Sequence, residues 1–275
     1  MPLSIPYSSL PYRPAFGPRT ARADFCEEDF IVTGWIGEFI NTLTNLAYIY
    51  YAYQGIQARR RTPQKTLAAD SLYYGLALVG ICSAFFHALV KYHAQIADDT
   101  SMQIATACVL HRAMSFRQSE QYSRNVALFL ISSLSIETIY HSIMDEQMVH
   151  ELTFLLLILL VIRQTRSLIR ERIQKDEEKR MLKWLSIFGA VCFLFGYLLW
   201  QLDFIYCSQL TAWKRALGMP WGFLLEFHGW WHGLTAVGAY VFMRMVDGLT
   251  QEQVVLRGGP FAWFESGKPL ADKSQ

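Results

Sequence analysis

Long apolar runs recur along this chain, and each approaches the roughly 20 residues that an α-helix needs to cross a bilayer. Six of these runs are clear, and a seventh, over residues 98–116, is weaker because His111 and Arg112 interrupt it. Such runs predict an all-α, polytopic membrane protein, although 52% hydrophobic and 17% charged residues would also permit one large globular domain. The six clear runs cover residues 31–53, 67–90, 122–141, 147–162, 184–205 and 221–245.

The basic residues decide whether the seventh run counts as a helix. With seven helices, the basic stretches 59–65, 112–124 and 163–183 and the C-terminal tail share one side of the membrane, which then carries most of the 25 Lys and Arg residues. With six helices, the first and third stretches would lie on opposite sides. Because cytosolic loops carry the basic excess, the sequence predicts a seven-transmembrane-helix bundle with a lumenal or extracellular N-terminus and a cytosolic C-terminus.

The same pattern suggests how the chain is divided. A lumenal N-terminal segment is expected over residues 1–30, the helical domain over 31–246, and a cytosolic tail over 247–275. Residues 1–22 lack a basic region followed by an apolar core, so we predict no cleavable signal peptide. The basic excess suits an anionic leaflet more than nucleic acid, and the sequence implies no protein partner.

Two histidines, His228 and His232, stand four residues apart within the last apolar run. On a helix they share one face, so both imidazoles can point at one object. Ionisable residues inside a membrane are costly and usually functional, and a metal ion is the sharper interpretation. The alternative is a pair of interfacial or hydrogen-bonded histidines. The remaining histidines we interpret as interfacial or loop residues: His93, His111, His141 and His150.

Further polar residues converge on the depth of this histidine pair. Ser83 and His87 are four residues apart near the outer end of the second helix, and Asp98 begins the third. The predicted topology places His87, Asp98 and His228 together in the outer leaflet. Three histidines with an open position are typical of catalytic zinc, which lowers the pKa of a bound water to about 7. Asp98 would be the base and Ser83 would orient the water or an oxyanion, unless Ser83 only bonds its own backbone.

An acidic stretch precedes the first helix. Asp24, Glu27 and Asp29 lie within six residues, and Glu38 follows on the same predicted helix face as Asn41. Oxygen ligands at short, irregular spacing suit a hard cation such as calcium. The alternative is helix capping, because acids near a helix N-terminus are stabilised by its dipole. Bound calcium would order this end of the bundle and position Asp98 without direct contact.

The five cysteines fall into two groups. Three lie in predicted membrane segments, where cysteine acts as a small apolar filler: Cys82, Cys108 and Cys192. Cys26 and Cys207 both map to the non-cytosolic side, where disulfides persist. A bridge between them would tie the N-terminal segment to the loop before the last helix.

Together these motifs resemble the alkaline ceramidases, seven-helix hydrolases of the wider superfamily that includes the adiponectin and progestin receptors. The resemblance runs from Asp24 to Arg244, with the motifs in order. It implies zinc held by His87, His228 and His232, a catalytic water served by Asp98 and Ser83, and the Cys26–Cys207 disulfide. It also implies a calcium site made by Asp24, the backbone carbonyl of Phe25, Glu27, Asp29 and Glu38.

Two positions depart from the family pattern. Phe25 stands where Trp is usual, which should matter little if only its carbonyl binds, and Asp29 stands where Asn is usual, which adds a charge. The resemblance implies hydrolysis of the N-acyl bond of ceramides, in endoplasmic reticulum or Golgi membranes. Two alternatives remain from the same superfamily: a lipid receptor of the adiponectin type, with a cytosolic N-terminus, and an acyl-ester hydrolase of lipid-anchor remodelling. A transporter finds no support in paired broken helices.

Overall fold

The computed structural model describes residues 4–60, 67–144 and 147–251, and within these ranges the chain forms helices and no β-strand. The expected all-α class is therefore confirmed. The C-terminal tail beyond residue 251 and the basic positions 61–65 lie outside the described residues. The helices are α1 (Phe39–Thr44), α2 (Leu46–Arg60), α3 (Leu67–Leu89), α4 (Tyr92–Ser115), α5 (Glu120–Met144), α6 (Gln147–Arg172), α7 (Asp176–Ile205), α8 (Cys207–Leu217) and α9 (Phe227–Leu249), with a 3₁₀ turn over Trp221–Leu225 before α9.

The first helix begins later than its apolar run suggests. Residues 31–37 form turns, with an isolated bridge between Thr33 and Ile36, and α1 starts only at Phe39. Gly37 packs so closely on the end of α3 that a Cβ there would lie 2.4 Å from Val90 Cγ2. Glu38 consequently sits at the helix entrance instead of inside a continuous span.

Four of the described helices are long and apolar enough to cross a membrane. Their apolar side chains also face outward, as for Phe129, Ile136 and Leu194, which are 71%, 69% and 66% exposed. Such surfaces suit lipid and not water, so the apolar helices indicate a membrane protein. The four helical stretches are Asp70–Leu89, Glu120–Met144, Gln147–Arg172 and Asp176–Ile205.

Helices α4 and α9 are not among these four stretches, and both carry several buried polar residues. Helix α9 is the most enclosed: it packs against α7, α2, α1 and α3, and buried residues occur along its whole length. Helix α4 begins at Tyr92, so Asp98 lies in its second turn and not at its start. The interrupted run at 98–116 therefore forms a helix, because α4 faces its neighbours more than lipid.

Buried charges connect three helices at the end of the bundle remote from His228. The Arg59 guanidinium lies 3.1 Å from Asp70 and 3.3 Å from Asp247, and the Tyr73 hydroxyl donates to Asp247 at 3.1 Å. These contacts link α2, α3 and α9. Since removing one partner of a buried ion pair leaves an uncompensated charge, the cluster holds the three helices in register.

The predicted disulfide is present. Cys26 and Cys207 are bonded, with Cα atoms 5.1 Å apart across 181 residues of sequence. The bridge fastens the N-terminal segment to the first residue of α8. The other three cysteines are free, and Cys192 is buried between helices as expected for an apolar filler.

We expect peptide mapping without reduction to recover Cys26 and Cys207 in one linked species. A bridge that closes a long loop typically stabilises a protein by about 2–4 kcal/mol, so Cys207→Ser should lower the thermal midpoint. Cys82→Ser is the matched control, since Cys82 is free. Finding both Cys26 and Cys207 as free thiols in protein taken directly from membranes would contradict the bridge.

Candidate metal centre

Three histidines from two helices meet inside the bundle. His87 comes from the last turn of α3, and His228 and His232 come from the first two turns of α9. Their ligand atoms lie within 4.8 Å of one another, and in the described part of the chain no other group of three or more potential ligands is so close. All three side chains are buried. The expectation that His87 joins the α9 pair therefore agrees with the geometry.

The unpaired atoms of this cluster suit a metal ion. His87 Nε2 and His228 Nδ1 are buried and have no hydrogen-bond partner among the described residues. A buried polar atom without a partner is costly, and coordination would satisfy both. Neutral imidazole nitrogens are also the donors that zinc prefers in a three-histidine site. The histidines therefore fit the metal that the sequence predicts.

Neighbouring side chains orient the rings. His87 Nδ1 lies 2.7 Å from Glu38 Oε2, and His232 Nδ1 lies 2.9 Å from Thr44 Oγ1. Metal-binding histidines usually engage such a partner through their second nitrogen, which fixes the ring and the tautomer. Both partners belong to the entrance and end of the short helix α1. This helix therefore supports two of the three histidines.

The predicted base and its serine lie together. The Ser83 side chain interacts with the Asp98 carboxylate. Ser83 is buried one turn before His87, whereas Asp98 is only partly buried. A partly accessible carboxylate that is held by a buried hydroxyl can exchange protons with a reacting group.

The acidic stretch is divided between structural contacts and unpaired oxygens. Each carboxylate oxygen of Glu27 accepts a backbone N–H at the start of α1, from Ile40 at 2.7 Å and from Asn41 at 2.8 Å. Glu27 thus performs the capping role that we kept as an alternative. Burial, and then the nearby Glu226, raises the pKa of Glu27 well above its usual range.

An arginine that no sequence motif links to the acidic stretch lies among the other acids. Arg19 Nη1 is 2.8 Å from both Asp24 Oδ1 and Asp29 Oδ2. Burial raises the pKa of Asp29, and Arg19 opposes that shift. Asp29 Oδ1 and Glu38 Oε1 are buried without partners in the described structure. These oxygens suit a hard cation, but the acidic residues do not gather as tightly as the histidines do.

The aromatic side chain of Phe25 packs directly on the histidines. Its ring centroid is 3.9 Å from that of His228 at an angle of 32°, and 5.3 Å from that of His87. From the sequence we considered only the carbonyl of Phe25 and an effect of the acidic stretch on Asp98 without direct contact. The ring of Phe25 adds a direct contact between this stretch and the imidazoles.

A second histidine pair lies inside the bundle, contrary to our interpretation of these residues as interfacial or loop positions. The rings of His141 and His150 stack at 5.0 Å, and both side chains are buried. His141 contacts Asp99 and His150 contacts Glu137, each at 3.2 Å. The error arose because α5 continues to Met144 and α6 begins at Gln147, so both histidines lie in helices, where His141 meets α4 and His150 meets α5.

Comparison with known proteins identifies a family and several relatives that this chain resembles. The family model described as Ceramidase matches residues 17–264. The chain belongs to the ceramidase family. A curated relative, alkaline ceramidase YPC1 of Saccharomyces cerevisiae, is 33% identical over 260 residues, covering 90% of this chain and 81% of that protein. Alkaline ceramidase 3 of Mus musculus is 31% identical, covering 92% and 91%. The ceramidase match includes every candidate site residue named above.

Proposed function

We propose that this ceramidase-family chain is a seven-helix, intramembrane, zinc-dependent amidase, with its hydrolase domain over residues 31–246. It would cleave the N-acyl amide bond of ceramides to give a sphingoid base and a fatty acid. The observation that carries the proposal is the buried histidine cluster, with unpaired nitrogens, in a family whose curated relatives are named alkaline ceramidases. A lipid amide lying in the outer leaflet would present its carbonyl at the predicted depth of these histidines.

The chain's own residues supply positioning and proton transfer. His87, His228 and His232 would hold zinc, which when bound supplies a Lewis acid that polarises the amide carbonyl and acidifies water. Asp98 takes the proton of the attacking water as the new C–O bond forms. It then delivers that proton to the amide nitrogen as the C–N bond breaks, so the products are a fatty acid and an amine. Ser83, which interacts with Asp98, would orient this carboxylate.

The test compares lipids that share one acyl chain. Purified protein would be given a ceramide panel and an acyl-ester phospholipid, and mass spectrometry would follow the free sphingoid base and fatty acid. We expect sphingoid base from ceramide and an intact ester. Fatty acid release from the ester alone would favour the lipid-anchor hydrolase. Zinc-loaded protein that cleaves neither lipid would favour a receptor.

The orientation of the chain in the membrane also distinguishes the proposed hydrolase from a receptor. The distribution of basic residues predicts a lumenal N-terminus, and we propose the endoplasmic reticulum or Golgi as the membrane, whereas receptors of the adiponectin type have the N-terminus in the cytosol. Protease protection of an N-terminal tag in sealed microsomes distinguishes these arrangements. Digestion of the tag by protease added to the cytosolic side would contradict the proposed lumenal N-terminus.

The pH dependence follows from the ligands. Imidazoles bind zinc only when unprotonated, and an ordinary histidine has a pKa of about 6.5. Ceramide hydrolysis should therefore be fastest at neutral to alkaline pH and decline as the pH falls through the range in which histidine is protonated. A rate profile measured at constant total zinc checks this, and an optimum near pH 5 would contradict it.

We also propose that calcium, held by Asp24, the Phe25 carbonyl, Glu27, Asp29 and Glu38, activates the enzyme without entering the chemistry. Two of these carboxylates have unpaired buried oxygens, and Glu38 contacts His87 directly. A bound cation would neutralise the group and order the turn whose Phe25 ring lies on His228. Arg19 partly fills that role through Asp24 and Asp29, so it should compete with calcium.

A calcium titration at fixed zinc tests this role. Turnover and the thermal midpoint of wild type should rise with calcium, and Asp24→Asn should need more calcium for the same response. Glu28→Gln is the control, since Glu28 lies in the same stretch but pairs with Arg215 and is not a candidate ligand. Identical curves for wild type and Asp24→Asn would leave the acidic stretch as a helix cap.

A further inference from the structure

A second set of buried charges lies beside the histidine cluster and takes no part in the proposed chemistry. Asp203, in the last turn of α7, is 2% exposed, and Lys214 and Glu226 are 2% and 4% exposed. All three surround Cys26 and the start of α9. Such buried charges are costly unless each is fully paired, so their contacts should reveal what they hold.

Asp203 joins three separate parts of the chain. From its place on α7, its Oδ2 accepts the backbone N–H of Cys26 at 3.2 Å. Its Oδ1 accepts the N–H of Phe227, the residue directly before His228, at 3.1 Å. One carboxylate therefore connects α7, the acidic stretch and the first turn of α9.

The contacts to α9 have a clear physical basis. The first N–H groups of a helix have no partner within the helix, and a negative charge there is favoured by the helix dipole. Phe227 and His228 are the first two residues of α9. Because Asp203 binds the backbone of Phe227, the residue before His228, it fixes where the His228 imidazole emerges from the helix.

The contact to Cys26 ties the acidic stretch to the same point. Cys26 lies between Phe25, whose ring rests on His228, and Glu27, which caps α1. Lys214 Nζ donates to the Cys26 carbonyl at 2.9 Å and lies 2.8 Å from Glu226, the residue just before α9. With the disulfide, Cys26 is held through its N–H, its carbonyl and its side chain.

We propose that Asp203 is a positioning residue of the hydrolase. It fixes the first residue of α9 against Cys26 and so sets the placement of the adjacent His228, and of His232, relative to His87. Asp203 touches neither the proposed substrate nor the metal, and it acts through backbone atoms only. This inference rests on the proposed zinc-dependent function, but nothing in the histidine motif or in the acidic stretch requires it.

The role needs both oxygens of a carboxylate. Asn at this position would keep the size but replace one acceptor with an NH₂ group facing a backbone N–H. Loss of the partners that orient metal ligands typically weakens metal affinity or activity by about 10- to 100-fold. We expect Asp203→Asn to weaken zinc binding by that factor and to lower kcat, with KM nearly unchanged because the lipid-binding surface is not altered.

The experiment compares wild type, Asp203→Asn and Asp176→Asn in the full-length protein. Asp176 is exposed in the first turn of the same helix and pairs only with Lys179 in the described structure, so its substitution controls for loss of a carboxylate from α7. Zinc affinity would be measured by competition with a chromogenic chelator, well below the thermal midpoint. kcat and KM for ceramide would be measured with and without saturating zinc.

The expected result is weaker zinc binding and lower kcat in Asp203→Asn, with kcat partly restored by excess zinc and Asp176→Asn equal to wild type. Wild-type zinc affinity and kcat in Asp203→Asn would overturn the proposal. So would an Asp203→Asn protein that fails to fold whether or not zinc is supplied, because Asp203 would then serve folding alone. Wild-type protein that binds no zinc or cleaves no ceramide would instead refute the proposed function.

Discussion

Replacing His228 with Ala should remove bound zinc and reduce ceramide hydrolysis to the uncatalysed background. His228 contributes a buried nitrogen that has no other partner in the described chain. The centroid of its ring lies 5.0 Å from that of His87 and 4.6 Å from that of His232. Two remaining imidazoles would hold the ion far more weakly than three. Metal analysis of the purified variant and mass-spectrometric assay of the sphingoid base measure the two effects together.

A matched control is available for this substitution. His93 is exposed on the first turn of α4 and lies outside the cluster, so His93→Ala should retain zinc and turnover. Full zinc occupancy in His228→Ala would show that the three histidines do not hold the metal. Loss of zinc from both variants would indicate a general effect on the fold.

Substitution of Asp98 by Asn should separate chemistry from metal binding. We expect zinc to remain bound while turnover falls by roughly 10²- to 10⁴-fold, the usual contribution of a positioned acid–base group. The amide can still accept a hydrogen bond from Ser83, but it cannot take a proton from water. Single-turnover measurement on zinc-saturated protein gives the chemical step directly.

Asp99→Asn is the informative companion to this variant. Asp99 is adjacent in sequence but contacts His141 on the other side of α4. We expect its substitution to change turnover far less than that of Asp98. Near-normal turnover in Asp98→Asn combined with a large loss in Asp99→Asn would move the proton-transfer role to Asp99.

The histidine cluster could be anticipated because helical spacing and depth carry most of the information. His228 and His232 share a helix face by periodicity alone, and the predicted topology places His87 in the same leaflet. The contact between Ser83 and Asp98 follows from the same depth argument once α3 and α4 are adjacent. Local pattern and charge asymmetry were sufficient for these residues.

Other features of the site depend on tertiary contacts that no local pattern encodes. The N-terminal turns place the Phe25 ring on His228, and nothing in the spacing of residues 24–29 indicates that. The role of Asp203 could not be predicted from the sequence, because one carboxylate at the end of an apolar helix is equally consistent with an interfacial position. Only the fold shows that it faces the start of α9.

The acidic stretch illustrates where composition misleads. Four carboxylates near one helix suggested a single cation site, yet Glu27 caps α1 and Arg19 pairs with Asp24 and Asp29. Arg19 is ten residues from Asp29, and no periodicity links the two. The sequence could indicate which residues carry charge but not which of them neutralise one another.

The most direct test of the account is the dependence of ceramide hydrolysis on zinc content. Purified protein would be stripped with a chelator, shown to remain folded, and given zinc in measured steps while bound metal and sphingoid base release are followed. The account predicts negligible turnover in the stripped protein, and recovery that rises with bound zinc and saturates at one ion per chain. Full turnover in folded protein that holds no zinc would contradict it.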